Sequence, residues 1–262
     1  MIIVVYEHPL SPYAQKVKIA LDEKGIAYEP KMPMAIGSGQ PDLEFLKANP
    51  RGEVPALIDG DVRLFDSTII LEYIEDKWPE PPLLPRDPVL RAKARTIEDV
   101  MDTTFEPINW GLGEIRWFKR AQGEQARAIE ARAHGQARGY YEWLTRQLGG
   151  DKWFGGETFG WADLCVVPYL NGATGNGIGP AADSPLGLWL ARANARPSVQ
   201  NAAKAATDSL AGMTDVAGAV KSGLFKREYR DHRLEWMIRS GGLDVVLEGL
   251  KAGNIRFSNE LG

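Results

Sequence analysis

The sequence predicts two domains of different class: an α/β domain over residues 1–80 and an all-α domain over 89–213, followed by a C-terminal extension over 214–262. Three observations predict this. Short apolar strands and helices alternate up to Lys77, five prolines crowd the stretch from Lys77 to Pro88, and beyond them the pattern is helical.

Ile2-Ile3-Val4-Val5-Tyr6 reads as a first strand, followed by a loop through Glu7-His8-Pro9-Leu10. Ser11-Pro12 then opens a helix carrying Ala14, Val17, Ala20 and Leu21, with Gly25 just past its end. Ile26-Ala27-Tyr28-Glu29 is expected to be a second strand. Ala56-Leu57-Ile58 and Arg63-Leu64-Phe65 flank an Asp59-Gly60 turn and form a hairpin. Pro55 falls where the first hairpin strand begins, a place where proline is tolerated and a cis bond is a deliberate feature. Asp66-Ser67 starts a helix through Ile69, Ile70, Leu71 and Ile74, with the serine as N-cap.

After the proline-rich break, Val89 to Phe105 is helical, and its continuation to Arg120 is expected to kink or break at Pro107, Gly111 and Gly113. Gln125 to Gln147 forms the next helix. Gly160 to Val167 is apolar enough to be the buried helix of this domain, with Asp163 three residues after the cap position as in a capping box. Leu188 to Asn194 and the segment from Arg196 complete it. In the extension, Leu234, Met237 and Ile238 and then Leu243 to Leu250 suggest two amphipathic helices. Two readings of them stay open from sequence: helices packed on the body of the protein, or a lid over the acceptor pocket or a dimer arm, with basic residues that can face an anionic substrate.

Composition excludes several classes. The net charge of −4 gives no support for nucleic-acid binding, and one cysteine among 262 residues allows no intrachain disulfide framework. No basic segment followed by an apolar one marks a signal peptide, and no apolar run reaches the length of a membrane span. No metal-ligand spacing is visible. The expectation is a soluble, cytoplasmic protein without a membrane, metal or nucleic-acid partner.

Two devices point to a ligand. An extended backbone beside Val54-Pro55 can pair with a peptide main chain, and ten residues on, the helix start at Asp66-Ser67 can hold a carboxylate and an amine. A ligand with a peptide backbone, a free carboxylate and a free amine fits both, and glutathione is such a ligand. These motifs, the strand-helix-strand-hairpin-helix order and the Ser11-Pro12-Tyr13 helix start resemble the cytosolic glutathione S-transferase family. The resemblance is to its serine- or cysteine-type, bacterial-like members, here with an extended C-terminal tail. It implies a thioredoxin-like first domain, glutathione as cosubstrate, a hydrophobic electrophile as acceptor, and a homodimer.

The resemblance further implies that Ser11 lowers the pKa of the glutathione thiol, with Tyr6 and Tyr13 as rival hydroxyls. Val54, Pro55, Asp66 and Ser67 hold the tripeptide. In the family a Lys or Gln often sits near the glycine carboxylate, before the Asn-Pro turn or beside the valine of the Val-Pro pair. Here Glu53 stands beside that valine, which leaves Gln40, Lys47 or Arg51 to supply the contact. The acceptor pocket is expected between Pro9, Leu10 and Tyr13 and a helix carrying Met101, Phe105, Trp110 and Trp117. Serine in place of cysteine favours thiolate attack over a protein–glutathione mixed disulfide. Ether cleavage, dehalogenation, disulfide reduction and non-catalytic binding of glutathione or a hydrophobe remain alternatives. A Ser-Pro-Tyr stretch also occurs in bacterial aryl-ether-cleaving relatives.

Overall fold

The computed structural model describes residues 2–33, 37 and 42–259. Ile3–Tyr6 (β1) continues through Pro12–Glu23 (α1) into Tyr28–Lys31 (β2), which runs parallel to β1. The second strand starts later than the sequence suggests because Ile26 belongs to the end of α1. Its N–H reaches the Leu21 carbonyl at 2.9 Å while Gly25 N–H reaches Asp22, the paired bonds of a Schellman stop. A short helix not foreseen from sequence, Leu43–Ala48 (α2), follows, capped by Asp42. Ala56–Asp59 (β3) and Val62–Phe65 (β4) form the hairpin, and Ser67–Lys77 (α3) closes the domain. The sheet order is β2-β1-β3-β4, with β3 antiparallel to both its neighbours. Strand alternation separates two cores. Val5 and Leu57 join Val17 of α1 and Ile70 of α3, whereas Tyr6 and Ala56 meet Phe45 and Ala48 of α2.

The helical domain comprises Pro88–Val100 (α4), Glu106–Arg116 (α5), Gly123–Leu148 (α6), Trp161–Gly175 (α7), Pro185–Asn194 (α8) and Pro197–Ala211 (α9). Between α4 and α5 the chain does not break at the glycines. A π-helical turn over Met101–Phe105 joins the two helices, ending two residues before Pro107. Proline offers no N–H to the carbonyl four residues back and crowds the preceding turn, so the widening falls N-terminal to it. Gly111 serves close approach instead: a Cβ there would lie 2.1 Å from the ring of Trp236 in the extension.

Apolar all round, α7 is buried along most of its length. Asp163 secures its start, accepting from Gly160 N–H at 3.0 Å, Phe154 N–H at 3.1 Å and Trp189 Nε1 at 2.8 Å. Glycine occupies the cap because the linker passes against it. A Cβ on Gly160 would meet the Leu83 carbonyl oxygen at 2.7 Å, the same oxygen that accepts from Trp161 N–H.

The extension carries Val216–Lys221 (α10), Arg227–Glu228 (β5), Asp231–Arg239 (α11), Leu243–Ala252 (α12) and Ile255–Arg256 (β6). Its two expected helices are present, and a small parallel ladder between β5 and β6 was not legible in the sequence. α11 packs along α5, burying Trp236 and Met237. Among the described residues, no helix is long and apolar enough to cross a membrane.

Polar contacts join the domains. Lys16 of α1 is fully buried, 2.6 Å from Glu98 and 2.5 Å from Asp102. Glu23, near the other end of α1, takes a two-pronged hydrogen bond from Arg196 at 2.8 and 2.5 Å and another from Ser198.

Candidate active site

A cavity of about 1080 Å³ is enclosed by the starts of α1 and α3, the α4–α5 bend and the extension. Ser11, Val54, Pro55, Asp66, Ser67 and Glu53 all line it. Residues from three separate turns of the N-terminal domain therefore face one space.

Ser11 is the N-cap of α1. Its Oγ accepts from Ala14 N–H at 3.3 Å, which leaves the hydroxyl proton free to donate at the positive end of the helix. The Val54–Pro55 peptide is cis. Buried Asn49 shapes the turn before it, donating to the Glu53 carbonyl at 2.6 Å and accepting from Arg51 N–H at 3.0 Å. Asp66, not Ser67, caps α3, and Ser67 is the first helical residue. Asp66 Oδ1 accepts from Thr68 and Ile69 N–H, and among the described residues Oδ2 makes no hydrogen bond. Asp66 also has φ 72°, a strained conformation for a residue with a side chain and one that concentrates at ligand sites.

Of the acceptor residues expected from sequence, Leu10, Tyr13, Trp110 and Trp117 line the cavity. Met101 and Phe105 do not: both are fully buried in the core, and Asp102 and Thr103 of the π turn and Glu106 at the start of α5 line the cavity in their place. Apolar character alone places a side chain in the core as readily as in a pocket wall, and here the core takes both. Pro9 also lies outside the cavity wall, its carbonyl accepting from Gln15 at 2.7 Å. Gln40 lies outside the described residues.

The rival hydroxyls are otherwise engaged. Tyr13 donates to the Asp102 carbonyl at 2.7 Å, and its oxygen lies 3.4 Å from His232 Nε2. Burial, reinforced by Glu106, pushes its phenol well above the ordinary range. Tyr6 is buried against Phe45 and does not line the cavity. His8 does line it. Burial lowers its pKa, and its Nδ1 accepts from Leu10 N–H at 3.2 Å, so the neutral ring carries its proton on Nε2.

The sequence leaves the extension open between helices packed on the body, a lid and a dimer arm, and names none of its basic residues for a site. Arg230, His232, Arg233 and Arg256 line the same cavity. The signal was the mixed run from Lys226 to Arg233, but the acids it meets lie far away in sequence. Arg233 pairs with Glu106 at 2.7 Å, and His232 Nε2 lies 3.3 Å from the same carboxylate. Burial alone would raise the Glu106 pKa, yet Arg233 and then His232 outweigh it and hold the carboxyl down at about 2. A depressed carboxyl stabilises the docked state above its free value, near 4.5, and that contribution is lost as pH falls towards 2. The difference is worth about 3 kcal/mol. Glu106→Gln should therefore loosen the extension at neutral pH, with trypsin cutting within α11 while α1 to α9 survive. An extension as resistant in the variant as in the wild type would refute this anchoring.

Among the described residues, no group of three or more His, Cys, Asp or Glu is arranged to hold a metal ion. Cys165 is buried in α7, where burial pushes its thiol well up.

Family models for the N-terminal and C-terminal domains of glutathione S-transferases match residues 5–82 and 126–194. The chain belongs to the glutathione S-transferase family. Glutathione S-transferase Z1 of Arabidopsis thaliana is 36% identical over 171 residues, which is 64% of this chain and 76% of that protein. The crystal structure of a glutathione S-transferase from Rhodospirillum rubrum F11 superimposes with a TM-score of 0.66 at 28% identity, covering 77% of this chain and 91% of the other. A glutathione S-transferase from Methylobacterium radiotolerans, solved in complex with glutathione sulfonate, gives 0.65 at 26% identity, covering 77% and 94%. The mixed sheet with its helices, joined to an all-helical domain, is thus the glutathione S-transferase fold. Both family models end before the extension begins.

Proposed function

We propose that this glutathione S-transferase family member binds glutathione in the cavity described above and activates its thiol as a thiolate through Ser11. The thiolate then attacks an electrophilic carbon of a hydrophobic small molecule. One observation carries the reading: Ser11 caps α1 with its proton free and shares a cavity with Val54-Pro55 and Asp66-Ser67, while Tyr13 is committed to Asp102 and Tyr6 faces the sheet core. The glutathione sulfonate complex of the Methylobacterium relative supports glutathione as the cosubstrate.

In this mechanism the main chain at Val54, beside the cis-proline, pairs with the tripeptide backbone. The start of α3 takes its γ-glutamyl end, with Asp66 Oδ2 for the amine and Ser67 for the carboxylate. The thiol proton leaves to solvent, and the Ser11 hydroxyl and the N-terminus of α1 stabilise the negative sulfur. A C–S bond forms as the leaving group departs with its electron pair. Trp110, Trp117, Phe118 and Phe225 supply an aromatic wall, which favours an aryl acceptor and keeps aryl-ether cleavage and dehalogenation within the same chemistry. In this reading residues 1–80 carry the glutathione site, 89–213 most of the acceptor wall, and 214–262 complete that wall through Phe225 and close the cavity. A cytoplasmic homodimer accompanies it, for which Val62, Ile69, Val89 and Leu90 offer exposed apolar surface.

The test is an ultraviolet titration of bound glutathione. A thiolate band well below the ordinary thiol value of about 8.5 is the expected result. Glutathione that binds but titrates as it does in water would replace the enzyme with a binding protein.

A further inference from the structure

Glu53 poses a problem for an anionic tripeptide, because an acid beside the Val54-Pro55 pair repels a carboxylate. The cations of its own domain do not solve it. Lys47 is exposed and paired with Glu44 at 2.6 Å, and Arg51 lies over the Phe65 ring at 5.3 Å. Neither lines the cavity.

The extension reaches this corner from the other side. Lys226 N–H donates to the Gly37 carbonyl at 2.6 Å, Asn259 Nδ2 donates to the Pro50 carbonyl at 3.1 Å, and Ser258 Oγ donates to Glu53 Oε1. It thereby lies across the turn that presents Val54. Most of its arginines there are committed: Arg256 to Glu228 at 2.5 Å, Arg233 to Glu106 at 2.7 Å, and Arg227 to Glu114. Arg230 is different. Its ion pair among the described residues is with Glu53 Oε2 at 3.7 Å, too long for a hydrogen bond, and its side chain lines the cavity. A planar guanidinium with five donors can face Glu53 on one edge and a second carboxylate on the other.

We propose that Arg230 of the C-terminal extension receives the glycine carboxylate of glutathione, and that Glu53 orients Arg230 for this. The inference rests on the glutathione reading above. It makes the extension a wall of the tripeptide site and gives the acid beside Val54 a purpose. Glu53, fixed by Ser258, holds the charge that a basic residue at its own position would have supplied.

The experiment compares glutathione with its glycine monoethyl ester by isothermal titration, on wild type, Arg230→Gln and Arg230→Lys. Wild type should prefer glutathione to the ester by about 10- to 100-fold, the range for a hydrogen-bonded charge. Arg230→Gln should lose most of that preference through weaker glutathione binding, with ester affinity within about twofold of wild type. Arg230→Lys should restore part of it, since lysine keeps the charge and loses the fork. A preference that persists undiminished in Arg230→Gln overturns the inference and leaves the glutathione reading intact. A wild type that binds neither ligand overturns both. Unfolding midpoints of the variants matching wild type would exclude a folding defect as the cause.

Discussion

Replacing Ser11 by alanine is expected to lower turnover of a reactive aryl halide about 100-fold near pH 6.5 while leaving glutathione affinity within about twofold. The magnitude follows from the thiol. If the hydroxyl and the helix end together lower its pKa by about two units, their stabilisation of the thiolate is worth about 2.7 kcal/mol, a factor near 100. Binding should survive because the tripeptide is held elsewhere, at Val54 and at the start of α3. The deficit should also shrink as pH rises towards 9, since the thiol then ionises without help. A pH–rate profile on both proteins checks this. Equal profiles would remove Ser11 from the mechanism and leave it as a plain helix cap. The phenol of Tyr13 would be a poor replacement, because it already donates to the Asp102 carbonyl and is held well above its ordinary pKa.

The second large effect is expected on stability. Lys16→Met should cost about 3–5 kcal/mol, the loss seen when one partner of a buried ion pair is removed. Lys16 is buried between two carboxylates, Glu98 and Asp102. Burial disfavours its charge, but Asp102 and Glu98 more than compensate and hold the ammonium above its ordinary value. Without it, two acids remain in the interior. Tyr169 at 2.6 Å from Asp102, and Trp161 at 2.6 Å and Thr68 at 2.8 Å from Glu98, are the neutral donors left to them. Thr68 follows Ser67 in the first turn of α3, so the same network braces the helix start that faces the cavity. Glutathione binding should weaken along with the unfolding midpoint in urea. A stability change below about 1 kcal/mol would mean that the interior reorganises around the loss, against the magnitude expected for such pairs.

The N-terminal wall of the cavity was readable as a candidate site because its determinants are local. Ser11 and Pro12, Val54 and Pro55, and Asp66 and Ser67 each act within a single turn, where residue type and spacing decide backbone geometry. Their order along the chain was enough to suggest the fold and the ligand. The acceptor wall was less readable. Met101 and Phe105 have the right chemistry, but they are the two ends of the π turn and both lie in the core. The buried apolar helix was expected from Gly160 onward, yet the reason for its glycine cap is the Leu83 carbonyl on a separate segment.

By itself, then, the sequence determined the succession of strands and helices, the two-domain class and the polar starts of α1 and α3, because short-range hydrogen bonding and apolar periodicity settle those. Only the tertiary structure decided which charges meet. Lys16 finds Glu98 and Asp102, Arg233 finds Glu106, and Ser258 finds Glu53 across 205 residues of chain. An ion pair depends on distance in space, and no local pattern reports which acid a distant arginine will reach once the core has closed.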